Sequence, residues 1–298
     1  RNTTESLDLV IGGMHWQPGD EAVMAEQDYG AMLHHFKLVA DRYGVVNTLV
    51  SVPNHPKDDQ EIVDLYASAI TDKTRLLMVC HMINITGQVL PIRKICDMAH
   101  ERGVDVMVDG AHAYSHIDFQ MADLNCDYYG TSLHKWLSAP LGSGMLWVRK
   151  DKIDNVWPLL ASGNFDSNDI RRLNHLGTDP VHVDLGIVNA IEYQEAIGLK
   201  RKEARLKYLQ QYWTKQLRDQ PRVIINTPAD INRHGAIGNV HIEGWDSREL
   251  ADTLMQDYRI FTVGINRPGV VGLRITPNLY TTLDELDTFV NAIKALSA

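Results

Sequence analysis

The 298-residue sequence predicts an α/β fold: a large domain with a mostly parallel sheet flanked by helices, then a smaller C-terminal α+β domain. Three observations predict it. Short apolar runs alternate with capped amphipathic segments as far as Lys150, the pattern of strand–helix–strand units. After Lys150 the alternation stops, and turn-rich sequence such as SGNFDSND and LGTDP leads into a long helical run. Beyond that run, strands and helices mix in a shorter unit. The boundary falls at 185/186, giving a large domain over 1–185 and a connecting helix with a small domain over 186–298.

The elements follow from local chemistry. RNTTESLDLVIGG is a polar turn and a helix, with Asn2, Thr3 and Thr4 as capping types and Leu7, Val10 and Ile11 at helical spacing. The free amides of such a start can bind an anion or simply be capped. A short strand (22–25) runs to Tyr29, and a helix (31–43) is closed by Gly44. Strand 45–50, helix 58–70 and strand 75–80 follow, the last reaching His81 and Asn84. Pro91 opens a helix that Gly103 closes, and strand 104–108 delivers Asp109. DYYGTS and GMLWVRK supply two more strands around His134 and Lys135. The second half reads as a helix over 183–217 bent near Gly198, strands 223–226 and 236–243, and a helix 247–257 capped by Ser247. Strands 260–263 and 271–275 and a helix 282–296 complete it.

Bulk composition narrows the function. A net charge of −9 offers no basic face for nucleic acid. The one basic cluster, KRKEARLK at 200–207, is interrupted by Glu203 and reads as a solvated helix face. The three cysteines show neither disulfide nor zinc spacing, which fits a reducing, cytoplasmic setting, and no apolar run spans a bilayer. The chain opens on Arg-Asn-Thr-Thr without methionine, so a segment upstream is expected.

Asp109 and Lys135 sit at the carboxyl ends of neighbouring strands, where open parallel sheets bind ligands. A lysine there can form a Schiff base, and a buried aspartate can pair with a protonated pyridine nitrogen, the two features that hold pyridoxal phosphate. The D-x2-H-x3-H run Asp109, His112 and His116 can also be read as metal ligands, but that leaves Lys135 and Arg274 idle, and no metal is assigned.

RNTTESL, HMINITGQVLPI, VDGAHA, the D-Y-Y-x-x-S-x-H-K run and LRITPNLYTT, in this order, resemble the class V aminotransferase family of pyridoxal-phosphate enzymes (fold type I), in its isopenicillin N epimerase-like branch beside the cysteine desulfurases. The resemblance implies Lys135 as the Schiff-base lysine and Asp109 as the partner of the pyridine nitrogen. It implies a phosphate cup of Thr3, Thr4, Ser132 and His134, with Thr178 lent by the other subunit of a homodimer. Tyr29 would stack on the cofactor, Asn84 would lie beside its 3-oxygen, His112 occupies a position that is commonly glutamine, and Arg274 would grip a substrate carboxylate. The activity implied is chemistry at the Cα of an amino-acid-type substrate: epimerisation or racemisation first, with Tyr29 or His112 facing Lys135 across the substrate, and transamination or carbon–sulfur elimination as alternatives. A non-catalytic binding module on the same fold is the alternative of another class. FTVGINRPGVVGLRI has no cysteine where desulfurases carry their nucleophile, which argues against sulfur transfer.

Overall fold

The computed structural model describes residues 1–163 and 165–298; Asn164, inside the stretch read as loop, lies outside them. The first sheet has the order β2-β1-β3-β4-β5-β6, formed by β1 (Glu21–Ala25), β2 (Val46–Val50), β3 (Thr74–Cys80), β4 (Asp105–Asp109), β5 (Tyr128–Ser132) and β6 (Gly144–Val148). All pairs are parallel except β5–β6, which is antiparallel, its connection over 133–143 being a loop rather than a crossover helix. Strand alternation divides the core. Val23, Leu77, Val79, Val106 and Val108 pack with α3 (Asp59–Ala69) and α4 (Ile92–His100) on one face. Ala22, Met24, Leu76, Met78 and Met107 pack with α1 (Thr3–Gly13) and α2 (Gly30–Tyr43) on the other. A four-residue helix, α5 (Met121–Leu124), precedes β5 and has no clear periodic signal.

Helix capping explains most boundaries. Asn2 caps α1 and Asp58 caps α3 through their side chains, and Gly44 ends α2 in the left-handed conformation. Pro91 is the residue before α4 rather than its first turn. Two close approaches hold α1 on the sheet: a Cβ on Gly130 would lie 2.6 Å from Leu7, and one on Gly144 would lie 2.5 Å from the Asn2 amide. Only glycine at these positions lets the start of α1 lie over β5 and β6.

The long helical run is two helices, α6 (Val181–Ile197) and α7 (Leu199–Leu217), broken where Gly198 takes φ 84° and ψ 124°. Antiparallel strands β7 (Val223–Ile225), β8 (Gly238–Ile242), β10 (Val270–Ile275) and β9 (Val263–Arg267) form the second sheet in that order. Helices α7, α8 (Ser247–Tyr258) and α9 (Leu283–Ser297) enclose its core around Leu209, Trp213, Val240, Leu273 and Phe289.

Three expectations need correction here. Asp246, not Ser247, caps α8, because its carboxylate accepts from the amides of Arg248 and Glu249. The strand expected at 260–263 begins at Val263, since Arg259 closes α8 in the left-handed region and the Ile260 amide is spent on Leu254. The 200–207 face is not wholly solvated: Lys202 is buried, with its amine donating to Gln194 Oε1 (2.8 Å) and to the Trp136 carbonyl. Among the described residues no helix is long and apolar enough to cross a membrane.

Candidate active site

The carboxyl ends of β1, β3, β4 and β5 converge on one cavity of about 450 Å³. Register aligns Cys80, Asp109 and Gly130 across β3, β4 and β5, so the residues just beyond them share one rim. The cavity gathers Thr3, Thr4, Tyr29, Asn84, Asp109, His112, Ser132, His134, Lys135 and Arg274. Arg274 comes from β10 of the second sheet, so both sheets build the site. Thr178 is not among the lining residues; it is exposed, in a bend before α6. The walls also contain Asn2, Met32, Cys80 and Ala111. Cys80 was findable as the last residue of an apolar strand, and Asn2 as a capping type; Met32 had no signal.

The start of α1 is fastened to the end of β5. Thr3 donates its amide to Ser132 Oγ at 2.8 Å, and its hydroxyl lies 2.7 Å from the same oxygen. This places a helix N-terminus and two hydroxyls together, a combination suited to a phosphate. His134 Nδ1 and Arg274 Nε are buried in the walls without a hydrogen-bond partner among the described residues. Unpartnered polar atoms of this kind are costly unless a ligand meets them.

Among the described residues Asp109 is the only carboxylate lining the cavity, against the cations Lys135 and Arg274. Its Oδ1 accepts from the Ala111 amide at 2.9 Å. Burial raises its pKa, while the Ala111 amide and the charge of Lys135 oppose that rise. Burial lowers the pKa of Lys135, with Asp109 pulling the other way. Burial, then the charges of Lys135 and Arg274, hold His112 well below the usual imidazole range, so it is neutral. The cavity therefore combines a buried acid, an amine of reduced basicity and excess positive charge, which suits an anionic ligand carrying a protonated base.

Lys135 Nζ lies 3.3 Å from His112 Nε2. His116 spends Nδ1 on the His112 carbonyl (2.8 Å) and accepts the Ala236 amide on Nε2 (2.8 Å), so neither ring nitrogen is left for a metal. Among the described residues no group of acids, histidines and cysteines has metal-ligand geometry.

Asp28, just past β1, is a further acid beside this site that sequence reading missed. Burial pushes it up to about 8, against the hydrogen bond from the Ala25 amide (2.7 Å) and with a contribution from the charge of Asp109. Asp28 thus stays protonated and leaves Asp109 as the local anion. A carboxyl whose folded pKa is raised contributes most to stability below its unfolded pKa, near 4, and loses that contribution as pH rises towards about 8. Asp28→Asn keeps an acceptor for Ala25 and is expected to flatten this decline, gaining on the parent by about 1 kcal/mol per pH unit within that window. Denaturant midpoints of both chains at pH 5 and pH 8 check it; parallel declines would show that Asp28 does not hold the proton.

The class V aminotransferase model matches residues 1–264. Isopenicillin N epimerase of Streptomyces clavuligerus is 28% identical, over 99% of this chain and 79% of the relative. The enzyme of that name from Amycolatopsis lactamdurans is 31% identical over the same shares. A crystal structure of a cysteine desulfurase from Escherichia coli superposes with a TM-score of 0.85 at 25% identity, covering 99% of this chain and 77% of that one. The buried acid, the amine, the helix start and the unpartnered His134 and Arg274 fit the cofactor of this fold type. This chain belongs to the class V aminotransferase family of pyridoxal-phosphate-dependent enzymes.

Proposed function

We propose that the protein acts at the Cα of an amino-acid-type substrate as an epimerase or racemase. The observation that carries this reading is the placement of Lys135 and Asp109 in one cavity with half-buried Arg274, whose Nε has no hydrogen-bond partner among the described residues. Pyridoxal phosphate, when bound, supplies an electron sink that makes a Cα proton removable. Asp109 supports it by holding a negative charge where the pyridine nitrogen would bind. Thr3, Thr4, Ser132 and His134 would hold the phosphate, and Asn84 would lie beside the 3-oxygen. Arg274 would take the substrate carboxylate, for which a guanidinium fork is better matched than an ammonium.

Lys135 Nζ is the group placed to take and return the proton. Of the two candidates for the second face, His112 adjoins the Lys135 amine and so shares its side. Tyr29, half exposed at the N-terminus of α2, is left for the other. Sulfur transfer is disfavoured: Cys80, Cys96 and Cys126 are buried, and burial raises the thiol pKa of each.

The same reading divides the chain at 185/186, a line through α6, and makes the active form a homodimer. Exposed Val181, Leu185 and Val188 form an apolar stripe on α6, close in sequence to Thr178, which would reach the partner's phosphate. The test is a panel of amino acids and amino-acid-derived peptides incubated with the cofactor-loaded protein in D2O. Inversion with one deuterium gained at Cα is expected. Keto acid as the only product would replace the epimerase reading with transamination, and sulfide or ammonia release with elimination.

A further inference from the structure

Next to Lys135 in sequence, Trp136 is buried and turned towards the site from behind. Its indole Nε1 donates to His112 Nδ1 at 3.3 Å, and His112 Nε2 lies 3.3 Å from Lys135 Nζ. Trp136 is held at two points: its indole packs on His116 with ring centroids 3.8 Å apart, and its backbone carbonyl accepts from the buried Lys202 amine. Three side chains from two neighbouring strand ends thus form a short line, Trp136–His112–Lys135.

The direction of hydrogen bonding along that line is constrained. An indole N–H can only donate, so His112 Nδ1 must offer its lone pair. A neutral imidazole then carries its single proton on Nε2, facing the Lys135 amine. An ammonium has no lone pair to accept that proton, whereas a free amine has one.

We propose that Trp136 is a positioning residue for this site: its indole N–H locks His112 in the Nε2–H tautomer, and that tautomer favours Lys135 as the free amine. The groups facing the pair act in both directions. Burial, the largest influence, disfavours the ammonium; Asp109 favours it; Arg274 disfavours it; Cys80 beside it is a buried thiol; and His116, a further titratable neighbour of His112, is neutral, with burial and its neighbours pushing it down to about 3. Trp136 therefore acts in the same direction as burial and Arg274, against Asp109. A free amine is the form that can attack a carbonyl carbon and accept a proton. The use of this preference in catalysis rests on the reading of Lys135 given above; the tautomer does not.

The experiment has two arms. In the first, the full chain without cofactor is labelled with ¹⁵N-histidine, and its ring nitrogens are read by long-range ¹H–¹⁵N correlation between pH 6 and 8. The His112 signals are assigned by their loss in His112→Gln. The parent is expected to show protonated Nε2 and unprotonated Nδ1, and Trp136→Phe, which keeps a ring against His116 but lacks the N–H, to show Nδ1–H or a mixture. A parent with Nδ1–H, or an unchanged pattern in the variant, overturns the proposal, and the parent spectrum decides even if the variant does not fold.

In the second arm, the rate at which added pyridoxal phosphate is captured is followed against pH. The midpoint is expected to move up in Trp136→Phe by about 0.5–1 unit, a roughly 3- to 10-fold slower capture at neutral pH. A uniform slowing with no shift would mark a merely structural role and overturn it. Absence of capture in the parent would instead count against the pyridoxal-phosphate reading and leave the tautomer to be decided by the first arm.

Discussion

Lys135→Ala is expected to form no yellow band with pyridoxal phosphate, where the parent chain forms one, and to lose Cα chemistry by about 10³-fold or more. Among the described residues no other lysine lines the cavity, so no second amine stands there to replace it. Lys202, which is buried, is held by Gln194 and the Trp136 carbonyl. The elements proposed to hold the phosphate stay intact in the variant, because the Thr3–Ser132 contacts do not involve Lys135. Cofactor is therefore expected to remain detectable by equilibrium dialysis as a reversible, non-covalent ligand. Circular dichroism should be parental, since the change removes a buried amine and no packing of either sheet. Persistence of the band in the variant would assign the covalent link to a different amine. Loss of dialysable binding as well would place the phosphate elsewhere than at α1.

The fold was legible wherever one local signal decided an element. Gly44, Asp58 and Thr282 end or begin helices through backbone conformation or side-chain capping, and each marks its boundary. Ile260 misled because its apolar character suits both a strand and the exit from a capped helix. Asp109 and Lys135 were legible for a topological reason: strand ends in a parallel sheet face one rim, so position along the chain nearly determines position in space. Arg274 could be placed only through its motif, because nothing local says that β10 faces the first sheet. The link from Trp136 to His112 was not legible, since neither residue's side-chain direction follows from spacing once the strand has ended. Lys202 was hidden by its neighbours; a run of charged residues on a helix looks solvated until the partner of one turn is known.

The other large effect is expected from Asp109→Asn, and it should have opposite signs for stability and function. Asparagine preserves the shape and the oxygen that accepts from Ala111, and removes a buried charge. In the chain without cofactor burial works against that charge more than the Ala111 amide and then Lys135 support it, so the variant should melt no lower than the parent. Its catalytic cost is set by the loss of a preorganised charge where the ring nitrogen would bind, about 3–4 kcal/mol, or on the order of 10²–10³ in kcat/KM. Two neighbours report whether the charge is truly the agent. The negative charge of Asp109 raises the pKa of both Lys135 and Asp28, so each should titrate lower in the variant. The raised pKa of Asp109 itself should appear in the parent as an acidic limb, with activity falling as Asp109 takes up a proton, and that limb should be missing from the variant's residual activity. A variant with parental turnover, or one that keeps the acidic limb, would mean that the ring nitrogen is met by some other group. A variant that loses both stability and activity would instead show that the Asp109 carboxylate acts mainly as a structural acceptor at the end of β4.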